Sequence, residues 1–259
     1  MVKSVISVVL LFLFGAAAQA AVQSRAVEYQ VDDARLTGHL YWDDGIQGAR
    51  PGVLVIHEWW GLNDYAKKRA QMLAELGFVA FAADMYGGGQ VTDKAEQARE
   101  WMQEVTADVE NWRERALAGL EQLKASGMVS GDNLAAIGYC FGGATVLQMS
   151  YANAPLKGVV SFHGALPAAP EESVGKIGPR ILVLHGQADS FIAPEVVTNF
   201  RNKLEAAGAD WEMNTYGGVR HGFTNPDAAE FGIENLAYDR RADERSWSRM
   251  QGFFSEIFD

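Results

Sequence analysis

The sequence predicts one α/β domain built on an open, mostly parallel, doubly wound sheet. Three observations predict it. Short apolar runs alternate with segments of helical period along nearly the whole chain, and glycine or proline punctuates the junctions. After Ala20 no stretch has the composition of a linker, and no repeat is visible.

The elements follow in order. Residues 27–31 and 36–42, joined through Asp32-Asp33-Ala34-Arg35, alternate in polarity like a hairpin. Residues 53–57, after Pro51-Gly52, are wholly apolar up to His57, as in a strand buried on both faces. Asn63 suits the N-cap of a helix through Leu76, and Gly77 ends it. Residues 78–83 form the next buried strand. Residues 93–126 have helical spacing, and their length, with Trp101, Trp112 and Leu123 along it, predicts two helices before the stop at Gly127. Strands are then expected at 134–138, 158–163, 181–185 and 211–216. The helices between and after them are expected at 143–151, at 194–207 before Gly208, and at 239–258.

The first 20 residues read as a cleavable signal peptide. Lys3 is the positive start, residues 5–14 are apolar but for Ser7, and Ala18-Gln19-Ala20 is a small-x-small cleavage site. The apolar run is well short of the roughly 20 residues that span a bilayer. The expected mature protein is therefore residues 21–259, periplasmic or secreted, without a membrane anchor.

The chain of 259 residues carries 22 Lys and Arg against 33 Asp and Glu, a net charge of −11. No stretch concentrates cations, which argues against a nucleic-acid partner, because phosphate binding draws on clustered Lys and Arg. The expected partner is a small molecule, and the chain is expected to act as a monomer. The one cysteine, Cys140, has no disulfide partner within the chain, so in an oxidising compartment it is either buried and inert or kept for reactivity.

Its surroundings favour reactivity. In open sheets ligands bind beyond the carboxyl ends of the strands, and Cys140 lies in Gly138-Tyr139-Cys140-Phe141-Gly142, between the strand at 134–138 and the helix at 143–151. That G-x-C-x-G spacing puts a nucleophile on a strained strand-to-helix turn, with small residues letting strand and helix approach. The helix N-terminus there favours an anionic sulfur. Asp189 follows the strand at 181–185, and His221 follows the strand at 211–216. Nucleophile, acid, histidine is the chain order expected for a catalytic triad on such a sheet.

These residues carry a family resemblance. The chain resembles the dienelactone hydrolase family of α/β-hydrolases, whose nucleophile is a cysteine. The matching segments are Val53 to Leu62 (VLVIHEWWGL), Ala82 to Tyr86 (AADMY), Ile137 to Gly143 (IGYCFGG), Leu184 to Asp189 (LHGQAD) and His221-Gly222-Phe223, in the family's order. The resemblance implies an α/β-hydrolase fold with an N-terminal β-hairpin, and hydrolysis of an ester or lactone by Cys140, His221 and Asp189 through an acyl-enzyme. It implies that Glu58 pairs with the Cys140 thiol and takes part in its ionisation when substrate arrives. A carboxylate beside a resting thiol would keep the sulfur quiet by like charge, which suits an oxidising compartment.

The oxyanion hole is expected from the backbone N–H groups of Phe141 and Trp59. Trp59, Tyr86 and Phe223 are expected to contact substrate, and Trp60 to serve packing. The family's two carboxylate-holding arginines are missing from Gly87-Gly88-Gly89 and from Gly222-Phe223-Thr224-Asn225. A neutral ester or lactone is therefore the expected substrate, with Arg220 the cation to watch. A carboxylesterase or thioesterase on the same three residues is the alternative, followed by a non-catalytic ligand-binding member of the fold. No organic cofactor is expected, since Gly87-Gly88-Gly89 lacks dinucleotide-site spacing. No metal is expected either: His57, His163, His185 and His221 show no ligand spacing.

Overall fold

The computed structural model describes residues 21–259. The expected signal peptide at 1–20 lies outside the described residues. Eight strands form one sheet in the order β1-β2-β4-β3-β5-β6-β7-β8. Strands β1 (Val22–Val31) and β2 (Ala34–Asp43) make the antiparallel hairpin, which joins the sheet through an antiparallel pairing of β2 with β4 (Val79–Ala83). Every further pairing is parallel, through β3 (Arg50–Ile56), β5 (Val129–Tyr139), β6 (Gly158–Phe162), β7 (Arg180–Gly186) and β8 (Trp211–Tyr216). This is the α/β-hydrolase architecture expected from the sequence.

Alternation along the central strands explains why both faces are covered. Leu54 and Ile56 of β3 enter one core, with Leu134 and Ala136 of β5. Their neighbours Val53, Val55, Ala135 and Ile137 enter the other. The first core is roofed by α2 (Ala95–Thr106), α3 (Val109–Ala125), α4 (Phe141–Tyr151) and α5 (Pro194–Ala207), the second by α1 (Asp64–Glu75) and α6 (Arg240–Phe258). Truncating a fully buried Leu54 in such a packed layer costs about 2–5 kcal/mol.

Local chemistry sets the boundaries as expected at several points. The Asn63 side chain accepts from the Ala66 amide at 3.2 Å to start α1, and Gly208 ends α5 in the left-handed conformation, φ 69°. The 93–126 region does split into α2 and α3. Strand β5 begins five residues earlier than 134, because Arg50 pairs with Val129 before the register shifts between Arg50 and Gly52. Gly131-Asp132-Asn133, with Gly131 at φ 52°, has turn chemistry that hides this extension in the sequence. Helix α4 begins at Phe141, directly after Cys140.

Candidate active site

Cys140 stands where β5 turns into α4, with φ 55° and ψ −114°. A residue other than glycine held in that region carries about 1–3 kcal/mol of strain, which the surroundings must impose. Two hydrogen bonds do so. The Cys140 amide donates to Phe162 O at 3.0 Å at the end of β6, and the Gly142 amide donates to His57 O at 3.1 Å beyond β3. The flanking glycines are steric requirements: a Cβ on Gly138 would lie 2.0 Å from Gly142 O, and one on Gly142 would lie 2.3 Å from Ile56 O. The G-x-C-x-G pattern therefore describes a turn clamped to the strands on either side.

His221 is brought to this turn by the loop after β8, and Asp189 by the loop after β7. The His221 Nδ1–H donates to Asp189 Oδ2 at 2.7 Å; Nε2, on the ring beside Cys140, has no hydrogen-bond partner among the described residues. Burial disfavours the imidazolium, but the adjacent Cys140 sulfur and the Asp189 bond outweigh it and raise the His221 pKa. Burial likewise opposes the Asp189 charge. Its bond from His221 and the imidazolium charge, then bonds from Asn235 Nδ2 at 3.0 Å and the Phe191 amide at 2.9 Å, prevail and hold its pKa below the usual range.

Glu58 is corrected. It is buried near the site, yet its hydrogen bond is to Asn225, whose Nδ2 donates to Oε2 at 2.7 Å, and it forms none with Cys140. Burial raises its pKa to about 7, against the Asn225 bond and the charges of His221 and Arg69. His57 anchors this segment, with Nε2 accepting from the Met85 amide at 3.2 Å and Nδ1 facing Glu58 O at 2.5 Å. The Phe141 and Trp59 amides, the expected oxyanion donors, enter no hydrogen bond among the described residues. For Phe141 this follows from its place at the start of α4, where no carbonyl lies one turn earlier.

A cleft of about 300 Å³ opens over Cys140 and His221. Its walls include Trp59, Met102, Phe191, Ile192 and Leu236, so Trp59 lines it as expected. Tyr86 and Phe223 do not. The Tyr86 ring lies behind the wall, stacked on Phe141 at 5.7 Å, and its hydroxyl donates to Trp59 O at 3.0 Å. Phe223 is wholly buried in the second core, edge-on to Tyr216 and His163. Its apolar ring, although next to His221 in sequence, enters the core under α1 and α6. Trp60 packs as expected, stacked on Phe231 at 3.9 Å.

Three residues escaped the sequence reading. Asn235 orients Asp189 and also accepts from the Ser190 amide at 3.0 Å. Asn225 holds Glu58. Arg99, on α2 one turn before Met102, lines the cleft without an ion pair among the described residues. Arg220 points elsewhere, its guanidinium donating to Glu234 O at 2.5 Å. The i, i+3 spacing of Arg99 and Met102 on one helix face was a visible signal, but nothing in the sequence indicated that this face meets the cysteine turn.

The comparisons with known proteins agree with this fold. The model of the dienelactone hydrolase family matches residues 38–258. The chain belongs to the dienelactone hydrolase family. It is a hydrolase of that type, and its likeness to family members runs over most of their length. A dienelactone hydrolase-like promiscuous phosphotriesterase from metagenomic libraries is 42% identical, with a TM-score of 0.89 over 92% of this chain and 100% of that one. Protein usf of Aquifex pyrophilus is 28% identical over 89% of this chain and 97% of that protein. A protein of Aquifex aeolicus provisionally named carboxymethylenebutenolidase is 26% identical over 88% of this chain and 96% of that protein.

Proposed function

We propose that the protein hydrolyses a small ester or lactone through a covalent Cys140 intermediate, and that it acts outside the cytoplasm after cleavage behind Ala20. The observation that supports the mechanism is the buried His221–Asp189 pair, with Nε2 unpartnered among the described residues, in one cleft with a neighbouring cysteine on a strained turn. Cys140 sulfur attacks the carbonyl carbon with its proton held by His221, whose imidazolium Asp189 stabilises. The oxyanion is met by the Phe141 and Trp59 N–H groups and the N-terminal end of α4. Collapse expels the alcohol, or opens the lactone ring, with the proton returned by His221. Water, deprotonated by His221, then attacks the thioester and frees the acid and the thiol.

Largely apolar walls suit the expected neutral substrate with an apolar body, and Arg99 adds a place where a carboxylate could also be held. Mass spectrometry of the protein quenched during turnover of an activated ester tests the reading: an adduct of acyl mass on the Cys140 peptide supports it. Turnover with no adduct, together with full activity of Cys140→Ala, overturns it. A second reading rests on the 42% identical phosphotriesterase: attack of the same sulfur on a phosphorus ester. Release of the phenol from an aryl phosphotriester, lost in Cys140→Ala, would support it.

A further inference from the structure

We propose that Thr224 is a positioning residue whose hydroxyl, shared by Tyr65 and His163, sets the aim of His221 at Cys140; this rests on the catalytic reading of His221 above. Thr224 lies three residues after His221 and is wholly buried. Its Oγ1 is 2.7 Å from His163 Nε2 and 2.5 Å from the Tyr65 hydroxyl. Its carbonyl oxygen accepts from Arg69, whose guanidinium is paired with Asp243 at 2.6 Å and lies over the rings of Tyr65, Tyr139 and Trp247. The next residue, Asn225, holds Glu58. The segment from 221 to 225 is thus fastened on one side to α1 and α6 and on the other to the end of β6.

His163 is the link to the reacting groups. It follows β6 with its backbone in the left-handed region, φ 38°, one residue after the carbonyl that holds the Cys140 amide. Its ring stands edge-on to the His221 ring at 5.1 Å and to Phe223 at 5.2 Å. Burial, with the nearby His221 charge, keeps it neutral. Its Nδ1 has no partner among the described residues, so the less costly tautomer carries the proton on Nε2 and donates it to Thr224, leaving a bare acceptor rather than a buried unmet donor. That single bond fixes both the tautomer and the tilt of the ring against which His221 rests. Packing alone would need only the Thr224 methyl group and would be indifferent to the hydroxyl.

Thr224→Val keeps the shape and deletes the hydroxyl. With a neutral activated ester, and with rates normalised by titration of reactive Cys140, kcat should fall about tenfold and KM change less than twofold. Thr224→Ser, which restores the hydroxyl, should recover at least half of wild-type kcat. Wild-type kcat in Thr224→Val, or a Thr224→Ser variant as slow as Thr224→Val, would overturn the proposal. Should Thr224→Val fail to fold, Tyr65→Phe decides: a kcat loss of about threefold supports the shared bond and no loss rejects it. Cys140→Ala is measured alongside. Full activity there would mean that the catalytic reading has failed, whereas an inactive Cys140→Ala beside a fully active Thr224→Val means that only the positioning role has.

Discussion

His221 and Asp189 share a 2.7 Å hydrogen bond with side chains only 4% and 0% exposed, and Asn235 occupies the other carboxylate oxygen. In the proposed mechanism a carboxylate sealed in this way holds one tautomer of His221 and so sets the direction of the proton steps at Nε2. Asp189→Asn should therefore cut kcat by about 10³ to 10⁴, with KM little changed, because an amide at that place favours the wrong tautomer. Asn235→Ala should cost less, about tenfold. Equal kcat for wild type and Asp189→Asn would show that His221 is not the base.

Cys140 should be indispensable to turnover and nearly dispensable to folding. Cys140→Ala is expected to lose at least 10³-fold in ester hydrolysis with a melting temperature within a few degrees of wild type, since the residue sits in a strained turn. Cys140→Ser should also be slow, because an alcohol ionises far less readily than a thiol. Kinetics and thermal melts of the two variants check this together.

Arg99 should separate substrates by charge. For a lactone bearing a carboxylate, Arg99→Met is expected to lower kcat/KM about tenfold, roughly 1.4 kcal/mol of transition-state stabilisation, and to leave a neutral ester within twofold. Parallel losses on both substrates would instead mean that Arg99 shapes the wall.

Glu58 should make the fold less stable as pH rises. Its pKa is raised on folding to about 7 from an ordinary 4.5, so the native state holds a proton that the unfolded chain releases. Stability from this group is complete below about pH 4.5, declines as pH climbs through 7, and levels off above it. The full effect is on the order of 3 kcal/mol. Glu58→Gln should flatten that slope in denaturant titrations at pH 5 and pH 8, and an unchanged slope would place the titration elsewhere.

Much of the fold was readable because the buried strands are short apolar runs and the helices carry period and caps, as at Asn63 and Gly208. The cysteine turn was readable for a different reason: Gly138 and Gly142 are demanded by backbone contacts of 2.0 and 2.3 Å, and such demands write a pattern into adjacent residues. Contacts between distant segments leave no such trace. Asn225 meeting Glu58 spans 167 positions and Asn235 meeting Asp189 spans 46, and each asparagine alone looks like a turn residue. Phe223 misled because proximity in sequence to His221 says nothing about which side of the sheet a ring faces, and Tyr86 because a residue of a matching segment can stand behind a cleft wall as well as on it.

The floor and the rim of the cleft belong to different parts of the chain. The floor, from Cys140 to His221, hangs from the carboxyl ends of β5, β7 and β8 and is bolted to β3 and β6 by main-chain bonds. The rim comes largely from α2 and from the stretches around Phe191 and Leu236. Chemistry and selectivity are in this sense modular. A library confined to Arg99, Met102, Ile192 and Leu236 can exchange one clientele of esters for another while the reacting atoms keep their places, and a graft of α2 from a relative would carry its taste with it.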